Sequence, residues 1–238
     1  YYPDTDGTAF LYMLNPSSGM LEGDLFDISF RLGEGSAAVI TTPSTNKIYR
    51  SHGGQSCQRV TAEVLPGAVL EYIPESNIPY AESRFCQQAE YNVHKGGTLF
   101  FWDIMSAGRI ARGEVFRFTD YRADTAVRYE GRLILKDCAY VCPELAPPDN
   151  PALFGDHMIY TSAYLCADSI PKGLAEELRG MLGGLEGVRA GVSETDQNLL
   201  SVKLLFRSTL HVQEILYDVW NIVRKYALGK PAFRIRKY

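Results

Sequence analysis

Two carboxylates and two arginines lie close together in one stretch of this sequence, Gly97–Phe118, among residues that are mostly apolar. Asp103 falls within a strand-like run there, and side chains on a strand alternate between faces with period two. The alternation places its carboxylate on the face that carries Leu99, Phe101 and Met105. A carboxylate on an apolar face is costly unless its charge is paired, so we expect Asp103 to have a partner.

A second acid follows this strand after a corner. The glycine of Ala107-Gly108 favours a sharp turn, and a second strand is predicted to begin near Ile110. On that strand Glu114 would share a face with Phe116 and Phe118. The second carboxylate therefore has the same apolar surroundings as the first.

Arg109 and Arg112 lie between the two acids along the chain. Guanidinium groups can neutralise buried carboxylates, so the four residues could form a structural ion network. They could equally form a polar path that is kept for function. Residue types and spacing support both interpretations to the same degree.

No catalytic motif accompanies these charges. The sequence contains no GxSxG, HExxH, GxGxxG or GxxxxGK[ST] pattern, and its four histidines form no HxH or HxxxH pair. Cys57 with a distant histidine would make a thiol dyad, and Asp103 with Glu114 would make a glycosidase pair. Neither is supported by flanking residues, such as sugar-stacking aromatics, so we expect a protein that is not an enzyme.

Composition excludes several classes of function. The 238 residues are 46% hydrophobic and 22% charged, with a net charge of −4, which is ordinary for a globular protein. Such a charge does not favour binding to nucleic acid or to an anionic membrane. No apolar run approaches the length of a membrane-spanning helix.

The cysteines indicate a reducing compartment. There are five of them, an odd number scattered along the chain, which fits reduced thiols in the cytoplasm better than a disulfide framework. Cys138 and Cys142 are the only close pair. Because no second pair matches their spacing, ordinary half-buried cysteines are better supported than a metal site.

The first part of the chain repeats weakly. Strand-like runs follow Gly35, Gly67, Gly97 and Gly131, at spacings of 32, 30 and 34 residues. A period of this size predicts stacked β layers, each covering the apolar face of its neighbour, as in a β-helix. An antiparallel meander is the alternative. Both alternatives make the protein mainly β.

The remainder of the chain has a different pattern. We expect a single domain, 1–238, in which residues 1–142 form the repetitive β layers and residues 152–238 an α/β closing portion. Apolar residues at helical spacing predict two α-helices there, over Leu174–Leu185 and Val212–Ala227.

Asp24, like Asp103, is an acid on the apolar face of a predicted strand. It begins the face of a predicted strand that continues with Phe26, Ile28 and Phe30. The simplest interpretation is an acid at the edge of a strand whose oxygens accept hydrogen bonds from loop amides.

Four blocks of sequence together resemble the urease accessory protein UreD family, called UreH in some organisms. They are Asn15–Asp24, Thr41–Ser51, Leu70–Glu75 and Gly108–Glu114, and the family pattern covers nearly the whole chain. Ser17-Ser18 depart from the Gly-Gly that is common in the family. The family also has an opening strand segment before the position of Tyr1, which we expect to be missing here.

The resemblance implies a mainly β scaffold that catalyses no reaction and helps to load nickel into apo-urease. Members of the family bind the accessory protein UreF, which recruits the nickel-carrying GTPase UreG. The resemblance further implies that no cofactor is held tightly and that nickel is in transit along an internal water-filled route.

A conduit for nickel needs weak oxygen ligands, because clustered imidazoles and thiolates would retain the ion. The sequence offers scattered inward acids and hydroxyls and no histidine cluster. We hypothesise that such a route is lined or gated by Asp24, Thr41, Glu71, Asp103 and Glu114. Arg109 would pin Asp103 or Glu114 in place. The alternative for each residue is a buried ion pair that holds the β layers in register.

Four residues in the specific blocks are candidates for structural or partner-binding roles: Lys47, Tyr49, Arg50 and Arg109. Two other classes of function stay open. One is a scaffold between UreF and urease without a metal path, and the other is a lectin-like or carbohydrate-active β protein.

Overall fold

The structure, a computed structural model, describes residues 7–17, 19–196 and 198–235. Its strands, in chain order, are β1 (Ala9–Tyr12), β2 (Leu25–Leu32), β3 (Ala37–Thr41), β4 (Asn46–Ile48), β5 (Ser56–Val64), β6 (Val69–Tyr72), β7 (Asn77–Pro79), β8 (Arg84–Val93), β9 (Thr98–Ser106), β10 (Asp120–Tyr129), β11 (Arg132–Val141), β12 (Ile159–Cys166), β13 (Val188–Asp196) and β14 (Leu199–Phe206). Its α-helices are α1 (Leu174–Leu182) and α2 (Val212–Leu228). The predicted mainly β fold with two helices in the C-terminal half is confirmed.

From β2 to β10 the chain passes back and forth between two sheets, with the short strands β4 and β7 in the same sheet as β3 and β6. The first part of the chain is therefore a stack of coils. In one sheet β3, β6 and β9 run parallel, and Ala38, Leu70 and Leu99 are aligned across them. In the other sheet β2, β5, β8 and β10 also run parallel. The arrangement is β-helix-like, as one of the two interpretations of the repeat predicted, and the antiparallel meander is wrong for these coils.

The fourth glycine of the repeat behaves differently from the first three. Glu130 and Gly131 have φ angles of 49° and 76°, and two adjacent positive φ values are typical of a tight type I′ hairpin turn. The chain therefore reverses, and β11 pairs antiparallel with β10 in the same sheet. The expectation that this unit stacks on the preceding one was wrong, because a hairpin cannot cross to the opposite sheet.

Beyond the coils, the sheet of β3, β6 and β9 continues with antiparallel strands in the order β9-β12-β14-β13. Both helices cover the outer face of this sheet, and Trp102, Leu178 and Leu216 belong to the core between them. No helix in the described ranges is long and apolar enough to cross a membrane.

Strand β9 is the centre of the molecule, because both of its faces are buried. Leu99 and Phe101 contribute to the core between the two sheets, whereas Phe100, Trp102 and Ile104 pack toward the helices. The predicted alternation along this strand is therefore confirmed, and it aims Asp103 between the two sheets.

The second strand that was predicted near Ile110 does not form. The chain makes a short 3-10 turn at Ile110–Arg112, and the next strand, β10, begins only at Asp120. Gly108 and Gly113 have φ angles of 131° and 74°, which interrupt any extended run between them. Glu114 is consequently part of an irregular loop.

Candidate functional site

A cavity of about 670 Å³ lies between the two sheets of the stacked coils. Its mouth is lined by the exposed residues Leu14–Ser17 on one side and by the segment Thr42–Lys47, which runs into β4, on the other. Its inner wall combines aromatic side chains with polar ones, among them Asp103 and Thr125. The cavity therefore connects the surface of the protein with the half-buried carboxylate of β9.

Amide side chains surround this carboxylate. Asn77 Nδ2 lies 3.3 Å from Asp103 Oδ1, 3.3 Å from Gln87 Oε1 and 3.1 Å from the Tyr121 hydroxyl. Asn46 Nδ2 in turn donates to Asn77 Oδ1 at 2.9 Å. The result is an oxygen-rich group of neutral side chains with one carboxylate.

Asp103 is half-buried, because it borders the cavity, and no arginine or lysine among the described residues forms a hydrogen bond or an ion pair with it. Burial raises its pKa to about 6, the nearby Asp137 carboxylate acts in the same direction, and hydrogen bonds from Gln87 and the Ile104 amide oppose the change. A cation beside Asp103 would lower this pKa again. Proton loss and cation binding are thus coupled at this position.

A second polar group lies across the same sheet. Asp103, Ser162 and Lys203 are aligned in one row across β9, β12 and β14. Lys203 Nζ donates to Asp137 Oδ2 at 2.6 Å and to the Tyr160 hydroxyl at 2.8 Å. The side chains of Lys203 and Asp137 are 38% and 24% exposed. The row therefore runs from the cavity carboxylate to a second place where polar side chains reach the surface of the protein.

Of the five predicted route residues, only Asp103 lines this cavity. Asp24 lies in a separate groove on the outer face, beside Cys57 and Cys86. Its Oδ2 accepts a hydrogen bond from the Leu21 amide at 2.8 Å. That bond is the strand-edge arrangement which the sequence suggested as the simplest interpretation.

Thr41 and Glu114 also lie away from the cavity. Thr41 is buried, and its hydroxyl donates to the Ile73 carbonyl at 2.6 Å. Arg109 Nε donates to Glu114 Oε2 at 2.7 Å, and the guanidinium holds both carboxylate oxygens. Arg109 therefore pins Glu114 and not Asp103, and the two acids cannot act together as a glycosidase pair.

Glu71 points to the opposite side of β6, toward α2. Its carboxylate accepts from Trp220 Nε1 at 2.5 Å and from Arg224 Nε at 3.1 Å. Glu71 and Arg224 are 1% and 0% exposed, and the guanidinium also faces the rings of Trp220 and Phe233. Its placement on the metal route is thus corrected, because the side chain is sealed in an ion pair between the sheet and the helix.

The candidate partner-binding residues separate into two places. Lys47 lies at the cavity mouth. Tyr49 packs edge-on against Tyr80 with ring centroids 5.1 Å apart, and Arg109 lies 4.2 Å above the Tyr80 ring. Arg50 forms an ion pair with Glu82 next to them. We call this surface the arginine–tyrosine corner, defined by Tyr49, Arg50, Tyr80, Arg109, Arg112 and Arg117.

Replacing Gly108 by alanine should distort this corner. A Cβ at Gly108 would lie 2.5 Å from the Glu114 carbonyl oxygen, and its φ of 131° is unfavourable for any other residue. We expect a loss of unfolding free energy on the order of 3 kcal/mol, measured by urea denaturation.

The matched control is Gly113→Ala, where φ is 74° and no atom lies within 4 Å of the added Cβ. This variant should lose only about 1 kcal/mol, the ordinary cost of a left-handed conformation. Equal losses in the two variants would contradict the close approach at Gly108.

Within residues 7–17, 19–196 and 198–235, no three histidine, cysteine or acidic side chains are grouped closely enough to hold a metal ion. Cys138 is exposed on β11, Cys142 follows that strand half-buried, and both thiols are free. The donors that the structure does bring together are the amide, hydroxyl and carboxylate oxygens of the cavity.

Several of those donors were missed from the sequence. Gln87 occupies an inward position on β8, between the buried residues Phe85 and Ala89. An amide at an apolar position of an alternating strand is the same signal that revealed Asp103. Asn77 and Asp137 gave no comparable signal, because tertiary packing alone brings them to the carboxylate.

The fold and the cavity define a class of protein: a scaffold of stacked β coils with a polar interior and two helices on one sheet. The model of the family described as UreD urease accessory protein matches residues 1–237. The chain therefore belongs to the UreD urease accessory protein family.

Individual relatives agree with this assignment. The chain is 31% identical over 232 residues to the urease accessory protein UreD of Herpetosiphon aurantiacus, covering 94% of this chain and 81% of the relative. It is 28% identical over 223 residues to UreD of Acetivibrio thermocellus, covering 94% and 85%. With UreD of Alkalilimnicola ehrlichii it shares 31% identity over 220 residues, covering 92% and 74%.

Proposed function

We propose that this protein is a cytoplasmic urease maturation factor that catalyses no reaction itself. It binds UreF, and through UreF the GTPase UreG, and it delivers nickel ions to apo-urease. Nickel is its cargo and passes through the cavity beside Asp103. The observation that carries the proposal is a cavity whose inner wall holds the Asp103 carboxylate among neutral amides, inside a chain of the UreD urease accessory protein family.

The donor set suits brief binding. Nickel is held most tightly by imidazole and thiolate, whereas carboxylate and amide oxygens bind it less strongly. A conduit must attract an ion and also let it leave, which a single carboxylate among neutral amides permits. Because the pKa of Asp103 is about 6, the carboxylate is mostly ionised at neutral pH and attracts a cation without first losing a proton.

The proposed route runs from the cavity mouth to the Lys203 side chain, and its two ends have different roles. The wide mouth between Leu14–Ser17 and Thr42–Lys47 admits the ion. At the other end the Lys203 ammonium neutralises Asp137, so that the Asp137 carboxylate does not retain a cation. Asp103 is then the carboxylate that the ion meets among the inner amides, whereas Asp27 and Glu75, which also line the cavity, bond to Arg59 and Gln213.

The second candidate function is a scaffold without a metal path. The arginine–tyrosine corner favours it, because a partner could bind at this surface without any use of the cavity. The lectin-like alternative has no comparable support, because Asp103 and Glu114 lie in different places.

Reconstitution from purified components tests the proposal. Apo-urease, UreF, UreG, nickel and GTP are combined with and without this protein, and complexes are resolved by size-exclusion chromatography. We expect a stable complex with UreF and urease activity that depends on the protein. If no complex forms and activation does not depend on it, the proposed function is wrong.

A further inference from the structure

The arginine–tyrosine corner is built from three separate segments that backbone hydrogen bonds fix to one another. The Ser51 amide donates to the Glu82 carbonyl at 3.1 Å, and the Glu82 amide donates to the Arg117 carbonyl at 2.9 Å. The Phe116 amide closes the loop by donating to the Ala107 carbonyl at 2.6 Å. The surface is therefore preorganised and would lose little conformational entropy on binding.

Two residues in these segments hold an unfavourable backbone. Glu82 has a φ of 61° and Phe116 a φ of 52°, and neither is a glycine. Each such conformation costs roughly 1 to 3 kcal/mol, and residues of this kind cluster at functional sites. Neither residue lines the cavity, so the cavity does not account for this strain.

Charge sets the corner apart from the rest of the protein. It gathers Arg50, Arg109, Arg112 and Arg117 against Glu82 and Glu114, in a chain whose net charge is −4. Arg112 and Arg117 are exposed, and neither forms an ion pair with any residue that the structure describes. A local excess of positive charge with unpaired guanidiniums attracts an anionic partner.

The side chains also match those that dominate protein interfaces. Tyr49 and Tyr80 present half-buried rings, and Arg109 lies stacked on Tyr80 while it holds Glu114. Tyrosine and arginine are enriched among the residues that contribute most to binding energy. Arginine is in addition the side chain best suited to bidentate pairing with carboxylates.

We propose that the arginine–tyrosine corner is the docking surface for an acidic segment of a protein partner. Aspartate or glutamate side chains of that segment pair with Arg112 and Arg117, and its backbone lies across the rings of Tyr49 and Tyr80. The inference rests on the proposed function, since it places one of the maturation partners on this surface.

Charge reversal tests the surface. The double variant Arg112→Glu/Arg117→Glu changes two exposed side chains, and the matched control Lys136→Glu/Lys172→Glu makes the same change of net charge at exposed positions elsewhere. Affinities for purified UreF and for purified apo-urease are measured separately, at low and at high salt. Thermal melting verifies that both variants fold.

We expect the arginine double variant to bind one of the two partners at least about tenfold more weakly, with a smaller dependence on salt. The lysine control should bind as the wild type does. Arg112→Lys/Arg117→Lys, which keeps the charge, should retain most of the affinity.

Unchanged affinity of the arginine double variant for both partners would overturn the inference and leave the proposed function standing. If the wild type binds neither partner, both fail. Binding of a single-stranded RNA oligonucleotide that depends on Arg112 and Arg117 and competes with the proteins would also overturn it.

Discussion

Replacing Arg224 by methionine is expected to destabilise the protein by about 3 to 5 kcal/mol, because it leaves the Glu71 carboxylate buried without its counter-ion. Glu71 is 1% exposed, and Arg224 and Trp220 are its hydrogen-bond donors. The double variant Glu71→Leu/Arg224→Met removes both charges and fills similar volume. It should lose much less stability than the single variant, as is usual when a whole buried pair is replaced.

The pH dependence of the single variant separates lost charge pairing from lost packing. Burial raises the pKa of Glu71, and Arg224 opposes that effect in the wild type. Without Arg224 the folded protein holds a proton on Glu71 that the unfolded chain has already released. Its stability is therefore greatest below the unfolded pKa near 4.5 and falls as pH rises through the higher folded pKa.

Urea denaturation at pH 5 and pH 8 measures both effects. Equal losses at the two pH values in Arg224→Met would indicate that packing of the long side chain, and not its charge, stabilises the contact. A loss below about 1 kcal/mol would contradict a buried ion pair altogether.

Asp103→Asn is expected to raise stability at pH 7 and yet to lower nickel-dependent activation of urease, by roughly tenfold. The folded pKa of about 6 lies above the ordinary 3.8, so the wild type pays for an ionised Asp103 at neutral pH. One pKa unit corresponds to about 1.4 kcal/mol, and partial exposure reduces the sum, which gives a gain of about 1 to 3 kcal/mol. Asparagine keeps an oxygen for the Asn77 amide to donate to.

The sign of the pH dependence follows from the raised pKa. Folded Asp103 binds its proton more tightly than the unfolded chain does, so the wild type loses stability as pH rises between about 4 and about 6. Asp103→Asn should lack this decline. Denaturation curves at pH 4, 5, 6 and 7 compare the two proteins.

Asp24→Asn is the matched control, since Asp24 is a carboxylate of the outer groove and does not line the cavity. It should leave activation unchanged. Loss of stability and solubility in Asp103→Asn would assign a structural role to the carboxylate. Full activation of urease by Asp103→Asn would indicate that the protein acts as a scaffold without a metal path.

Local periodicity was sufficient for the elements that have one buried face or a long apolar stripe. The alternation on β9 predicted that Asp103 points inward with Leu99 and Phe101, and the stripe of α2 predicted its position within a residue at each end. The glycine-led turns predicted stacking of the first coils. Only the prediction for the fourth turn was wrong, because its hairpin geometry depends on Glu130 also adopting a positive φ.

Periodicity was insufficient where both faces of a strand are buried. Leu70, Glu71 and Tyr72 of β6 are all buried, so the pattern does not reveal which side faces the cavity and which side a helix. Glu71 was assigned to the wrong side for this reason, since its partner Arg224 is 153 residues away. The arginine–tyrosine corner likewise depends on contacts between distant segments, and Tyr80 carries no local signal.

The same separation of 153 residues sets an order of events during synthesis. At about 5 to 20 residues per second, Arg224 is made roughly 8 to 30 s after Glu71. Throughout that interval the sheet face on which α2 packs lacks the helix that covers it in the finished fold. The Glu71 carboxylate on that face therefore has neither of its two side-chain donors, Trp220 and Arg224, until the last helix has been made.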